Sequence, residues 1–361
     1  MPADHRLERQ AAVRALLAAE GVEALLVTHL PNIRYLTGFT GSAALLLLRA
    51  DDTVLLTDFR YATQAPTEVA GTAEVAIDAA SVWDRLKRLW AERPAQTLGF
   101  EAHALTVRDA GRLKECARRT APMGELVEGL RAVKAPEEVE AIAAAAALAQ
   151  QALAEVLPRV RPGQTELLVA SELEGALRRR GSEWHPFQTI VASGPRAALP
   201  HAGTSGRTIE AGELLLIDFG AQVDGYCADL TRTVVVGARA DERQRSVYEA
   251  VRAAHLRARQ EIRVGMTGRA ADALARDLLT ARGFGEAFGH SLGHGLGLEV
   301  HEAPRLSATA EQALPAGAVV TIEPGIYLPG WGGVRLEDDV LLTSEGPRCL
   351  SDARTELVEL V

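Results

Sequence analysis

Four carboxylates set in two strand–turn–strand segments constrain this chain more than any other feature. Residues 214–221 and 223–236 are β-rich runs around an Asp224-Gly225 turn signal, which predicts an antiparallel hairpin with Asp218 on one arm and Asp229 on the other. A two-residue turn at Val223 and Asp224 would set the acids directly opposite. A turn at Asp224 and Gly225 would set them diagonally. Either register leaves both carboxylates on one face. Like charges across a ladder, with Cβ atoms about 4.5–5.5 Å apart when directly opposite, are destabilising unless something positive lies between them. A cation is the simplest remedy. The competing reading makes both acids solvent-facing, and the core-like neighbours Ile217, Phe219 and Leu230 argue against it.

Residues 319–327 and 332–340 repeat the device around a Pro-Gly-Trp-Gly-Gly loop. Glu323 and Glu337 face the same side if the loop holds an odd number of residues, for instance centred on Gly330. Buried carboxylates without partners are expensive, so two hairpins that each aim a pair of acids at one place make sense chiefly around cations.

Between the hairpins, residues 289–305 are rich in Gly and His, with His290, His294 and His301 among the nine histidines of the chain. His294 is the candidate nitrogen ligand, and His290 and His301 are left to support the ligands or to face substrate. Isolated, each would read as an ordinary core histidine. The surrounding glycines, which let backbone approach a ligand closely, shift that reading. Four carboxylates and one imidazole form an oxygen-rich set that suits manganese, cobalt or zinc, in a site of two divalent ions about 3.5–4 Å apart.

The order Asp218, Asp229, His294, Glu323, Glu337 resembles the ligand order of the pita-bread metallopeptidase family, which includes prolidase (Xaa-Pro dipeptidase), aminopeptidase P, methionine aminopeptidase and creatinase. Pro200-His201-Ala202-Gly203 and the segment from Val300 to Arg305 are similar to the two substrate-side histidine motifs of that family, at His201 and His301. Residues 31–39 and 55–62 look like the non-catalytic N-terminal domain of the prolidase, aminopeptidase P and creatinase branch. The resemblance implies an α/β N-terminal domain (residues 1–125), a linker (126–135) and an α+β pita-bread catalytic domain with pseudo-two-fold symmetry (136–361). It also implies a homodimer in which Tyr35 and residues 58–61 of one chain help narrow the site of the other.

Local pattern agrees with that outline. Helix-like residues 7–20 and apolar runs at 24–27, 43–48, 53–56 and 97–100 suggest a mixed sheet with helices. Pro136 followed by Glu137 and Glu138 suits the first turn of a helix. Further helices are expected around 136–156, 165–180, 241–263 and 268–282. With 361 residues, 47% of them hydrophobic, the chain can bury a sizeable core. A net charge of −9 without a clustered basic stripe makes nucleic acid an unsuitable partner. The start lacks an apolar stretch and no run approaches about 18 apolar residues, so neither a signal peptide nor a membrane span is expected and the cytoplasm is the default. Cys116, Cys227 and Cys349 suggest no disulfide framework and no Cys-x-x-Cys site.

In the family's chemistry, which the resemblance carries to this chain, the metal ions prepare hydroxide, Glu323 acts as general base, and His301 and His201 stabilise the tetrahedral intermediate. The expected substrates are proline-containing dipeptides or short peptides. A dipeptidase must hold the free carboxylate of proline, and Arg305 is the candidate for that contact, with His201, His290 and His301 also lining the substrate. Arg335 is expected to support the metal ligands, and Tyr226 either to reach the site or to pack as a strand aromatic. Aminopeptidase P, acting on longer peptides, is the alternative. Two distant ones remain. Gly289-His290-Ser291-Leu292-Gly293 matches the nucleophile elbow of serine hydrolases, which needs a strand before Ser291 and a helix after it. A non-catalytic peptide-binding module on the same fold would have lost metal ligands.

Overall fold

Apolar runs separated by amphipathic helices become one mixed sheet in the first 131 residues. The computed structural model describes residues 5–351 and 354–361 and divides into two units between Arg131 and Ala132. In chain order the first unit contains α1 (Arg6–Ala19), β1 (Ala24–Val27), α2 (Leu30–Thr37), β2 (Leu45–Arg49), β3 (Thr53–Thr57), α3 (Gln64–Glu68), β4 (Glu74–Ile77), α4 (Val82–Glu92), β5 (Leu98–Glu101), α5 (Val107–Cys116), β6 (Thr120–Met123) and α6 (Leu126–Arg131). The sheet order is β4-β3-β2-β1-β5-β6, antiparallel across β1, β2 and β3 and parallel elsewhere. Strands β1 to β3 are buried along their whole length, which is why they read as unbroken apolar runs. The edge strand β4 is partly exposed and mixed in composition, so no comparable signal marked it.

The motif at residues 31–39 forms most of α2 and the two residues after it. Asn32 is buried and donates to Glu101 Oε1 at 2.7 Å, while Glu101 Oε2 accepts from the backbone of Thr28 and His29 at 2.7 and 2.8 Å. Tyr35 lies buried with the Arg9 guanidinium 4.1 Å from its ring centre, so it packs within its own unit and is not a surface contributor to a neighbouring site. Of the other candidates, Asp58 is paired with Arg60 at 2.7 Å, Tyr61 bonds Ser42, and Phe59 is 69% exposed. Residues 126–131, placed in the linker on sequence, are the helix α6, so the connection between the units is shorter.

The second unit opens with a helix pair, α7 (Pro136–Val156) and α8 (Glu166–Arg179), packed on β7 (Ile190–Ser193), β8 (Glu213–Val223) and β9 (Tyr226–Val236). A second pair, α9 (Glu242–Glu261) and α10 (Gly268–Ala281), packs on β10 (Gly293–Gly295), β11 (Glu302–Leu306), β12 (Val319–Ile322), β13 (Gly325–Leu328), β14 (Gly332–Arg335) and β15 (Asp338–Thr343), followed by β16 (Gly346–Cys349) and β17 (Val358–Leu360). The sheet orders are β17-β9-β8-β7 and β11-β10-β12-β15-β16, with β13-β14 as a separate ribbon. Each half is thus a helix pair on a sheet with its own core, which is the pseudo-two-fold α+β arrangement. By length and composition the run Pro136–Arg159 would also pass as a membrane span, yet its alanine face (Ala145, Ala149 and Ala152) is core here.

Candidate metal centre and active site

The Asp224-Gly225 turn has positive φ at both residues, 49° and 77°, the geometry of a two-residue hairpin loop, and pairs Val223 with Tyr226. Of the two registers, the diagonal one results: Asp218 stands opposite Thr231 and Asp229 opposite Gly220. A side chain at position 220 would meet the Ala228 carbonyl and the ring of Pro186, so the residue facing Asp229 is glycine. The second hairpin has a three-residue loop centred on Gly330, with Leu328 paired to Gly332. Its arms break at the acids. Residues 319–322 pair with 338–341 in one sheet and 325–328 with 332–335 in another, leaving Glu323 and Glu337 between the two ladders. The two halves are stitched at this point by Glu337 N, which donates to Thr231 O at 3.1 Å.

His294 lies on β10, and its Nδ1 is 3.0 Å from the Gly295 carbonyl. A proton on Nδ1 leaves Nε2 as a bare lone pair, 3.3 Å from Glu323 Oε1 and 3.9 Å from Asp229 Oδ2. Asp229, His294 and Glu337 each offer a ligand atom within 4.8 Å of the others. Oδ1 of Asp218 and Oδ1 of Asp229 are buried without a hydrogen-bond partner among the described residues. Burial and mutual repulsion push Asp229 and Glu337 well above the usual carboxylate range, and burial pushes Glu323 up to about 8. Unpartnered acceptors and crowded acids are the signature of a cradle for cations, so the donor set fits divalent metal.

One positive side chain is already there. Arg335 is buried; it donates to Asp218 Oδ2, to Tyr327 Oη at 2.7 Å, to Thr231 Oγ1 at 3.2 Å and to the Pro200 carbonyl at 3.2 Å. Thr231 Oγ1 donates onward to Glu337 Oε2 at 2.5 Å. Arg335 thus orients acids from both hairpins, as its place two residues before Glu337 suggested. Thr231 and Tyr327 carried no such signal beyond sharing a strand face with an acid. Behind Glu337, Asp338 accepts from Arg232 and Arg259, both at 2.8 Å, and Arg232 also holds the Glu337 carbonyl.

The other histidines separate. His290 Nε2 lies 2.8 Å from Tyr327 Oη and Nδ1 lies 2.8 Å from the Ser291 carbonyl. Tyr327 accepts from Arg335 and donates to His290, whose pKa falls to about 4 on burial; both ring nitrogens are committed inside the protein, so His290 backs Tyr327 rather than offering a nitrogen to substrate. His301 and His201 are exposed, and the His301 ring centre is 4.4 Å from that of His294. Arg305 is exposed on β11, paired across the ladder with His294. Tyr226 donates to Glu138 Oε1 at 2.8 Å, away from the acids. Ser291 has no strand before it and is followed by strand β10 instead of a helix, which removes the nucleophile-elbow reading. Cys227 is buried and its thiol pushed up to about 12, an inert group.

A fold of two helix-on-sheet halves around converging acids defines a class of enzyme: the chain belongs to metallopeptidase family M24, matched over residues 140–344, with a Creatinase/Prolidase N-terminal domain over residues 9–133. That family implies divalent metal ions. Within it, the chain is 41% identical to the uncharacterized peptidase YqhT of Bacillus subtilis (strain 168), covering 96% of this chain and 99% of the relative. It superposes on a Xaa-Pro dipeptidase from Bacillus anthracis with a TM-score of 0.95 at 40% identity, covering 98% and 100% of the two chains. An X-Pro aminopeptidase from Thermotoga maritima MSB8 gives a TM-score of 0.90 at 34% identity, covering 97% and 99%.

Proposed function

We propose that the protein is a Xaa-Pro dipeptidase, with two divalent ions held by Asp218, Asp229, His294, Glu323 and Glu337. The observation that carries the dipeptide reading is Arg305, exposed and directly across the β10–β11 ladder from His294. A guanidinium there suits the free carboxylate of a C-terminal proline, and the Bacillus anthracis likeness supports the same substrate class.

When bound, the ions supply hydroxide near neutral pH and polarise the scissile carbonyl. Glu323 takes the proton of the nucleophile on its carboxylate and hands it to the leaving imide nitrogen. His301 and His201 donate to the carbonyl oxygen as negative charge develops there. Arg335 keeps Asp218 aimed, while His290 acts through Tyr327. Four carboxylates with one imidazole favour manganese, with cobalt and zinc as alternatives. Asp229→Ala and Glu337→Ala should lose metal and activity together in a folded protein, read by elemental analysis and circular dichroism. Full metal stoichiometry in either variant would sink the ligand assignment.

The second reading is an aminopeptidase acting on longer peptides, favoured by the Thermotoga maritima likeness. Xaa-Pro dipeptides assayed beside Xaa-Pro-Yaa tripeptides separate the two, since only a dipeptidase prefers the former. We also propose a homodimer to which the exposed Phe59 segment contributes; light scattering that shows a fully active monomer would exclude it. A cytoplasmic setting, supported by the lack of any disulfide among the described residues, and the absence of nucleic-acid and membrane partners complete the proposal.

A further inference from the structure

The loop that carries His201, residues 194–204, is held at both ends by one carboxylate. Glu166 is the first residue of α8 and is 0% exposed. Its Oε1 accepts from Ser193 N at 2.8 Å and Ser193 Oγ at 3.0 Å, before the loop. Its Oε2 accepts from Ser205 N at 3.1 Å and Ser205 Oγ at 2.6 Å, after the loop. Arg196 Nε, inside the loop, lies 3.2 and 3.1 Å from the two oxygens. Ser193 Oγ already accepts from Arg207 at 2.6 Å, so its single proton goes to Glu166. Both carboxylate oxygens are saturated with donors.

The loop is built on these anchors. Leu199 N donates to Arg196 O at 3.0 Å and Ala202 N to Leu199 O at 3.1 Å, forming the turn that contains His201. On the side of the acids, Arg335 holds the Pro200 carbonyl. The backbone on each side of His201 is therefore referenced to Glu166 through Arg196, and to the acid cluster through Arg335. We propose that Glu166 is a positioning residue for the reaction, fixing the 194–204 loop so that His201 meets the substrate carbonyl. The inference rests on the role proposed above for His201.

Glu166→Gln tests it with little change of shape. An amide accepts on one atom only, and its NH₂ must face the donors of Ser193 or of Ser205, so one end of the loop is released. Helix α8 keeps its cap, because Thr165 Oγ1 accepts from Leu168 N at 3.2 Å independently of Glu166. The measurements are kcat and KM on a Xaa-Pro dipeptide, and bound metal, for Glu166→Gln, His201→Ala and the double variant. Glu166→Gln should lower kcat about tenfold to a hundredfold, the scale of a misplaced catalytic contact, with KM and metal content unchanged. The double variant should be no slower than His201→Ala alone. Losses that multiply, loss of metal in Glu166→Gln, or an unchanged kcat while His201→Ala is slow, each overturn the proposal. Full turnover in His201→Ala instead overturns the role given to His201, and the positioning inference with it. Should Glu166→Gln fail to fold, Ser205→Ala removes one anchoring hydroxyl. Its smaller loss of kcat should vanish in the His201→Ala background, and persistence there overturns the proposal.

Discussion

His301 and Arg305 show how exposure and position assign work to single residues. His301 is exposed beside the half-buried His294, and burial of part of its ring, with Arg305 and His201 nearby, lowers its pKa, so in the proposed reaction it would meet substrate as a neutral imidazole able to donate one proton. His301→Ala should therefore cut turnover by about two to four orders of magnitude with metal still bound. Loss of metal in that variant would make His301 a ligand. Arg305→Ala should raise KM for Xaa-Pro dipeptides and cost about 2–5 kcal/mol of transition-state binding, while tripeptides, whose carboxylate lies one residue farther out, lose much less. Equal losses on both substrates would favour the aminopeptidase reading. These exposed residues were legible because unusual residue types cluster in a short segment. Tyr327 and Thr231 were not, since their roles depend on Arg335 reaching them from another strand.

Elements set the spacing of the acids and His294. The glycines of residues 289–297 read as permission for close approach, and Gly293 shows what that means: a Cβ there would overlap the Thr321 carbonyl on β12. Strand β10 can lie against β12, and His294 beside Glu323, only because position 293 has no side chain. Gly293→Ala should push β10 away from β12 and weaken metal affinity although no ligand has changed; calorimetric titration with manganese would show it, and wild-type affinity would refute it. Both hairpins were foreseeable as units, since strand alternation and turn residues act locally. The choice of the diagonal register in the first, and the splitting of the second into two ladders at Glu323 and Glu337, were left open or unseen.

For the whole molecule, the acid cluster makes metal-free folding pH-dependent in a definite direction. Glu323 is raised to about 8, and Asp229 and Glu337 are raised well above their ordinary values, by burial first and by one another second. Folded chains therefore hold protons that unfolded chains, with carboxylates near pKa 4, have released. Folding without metal takes up protons, so its stability declines as pH rises from about 4 to about 8. Divalent ions that bind only the folded state remove this penalty. The melting midpoint of chelated protein should fall between about pH 5 and about pH 8, and adding manganese at the upper pH should restore it. A chelated protein whose midpoint is flat or rises across that range would contradict the burial of ionisable acids at the centre.

The sequence by itself determined the helices expected at 7–20, 136–156, 165–180, 241–263 and 268–282 and the two hairpins that carry the acids, because alternation, capping and turn chemistry are properties of neighbouring residues. Pro136 at the start of α7 and Asp224-Gly225 at the β8–β9 turn are such local instructions. Only the tertiary structure decided which groups the acids touch. Arg335 reaches Asp218 across 117 positions, Tyr327 commits His290, and Glu166 gathers Ser193, Arg196 and Ser205 around the His201 loop. Contacts of that kind follow from how distant segments pack, within each helix-on-sheet half and, for Arg335 and Asp218, between the halves, and such packing has no period or spacing along the chain by which it could be read.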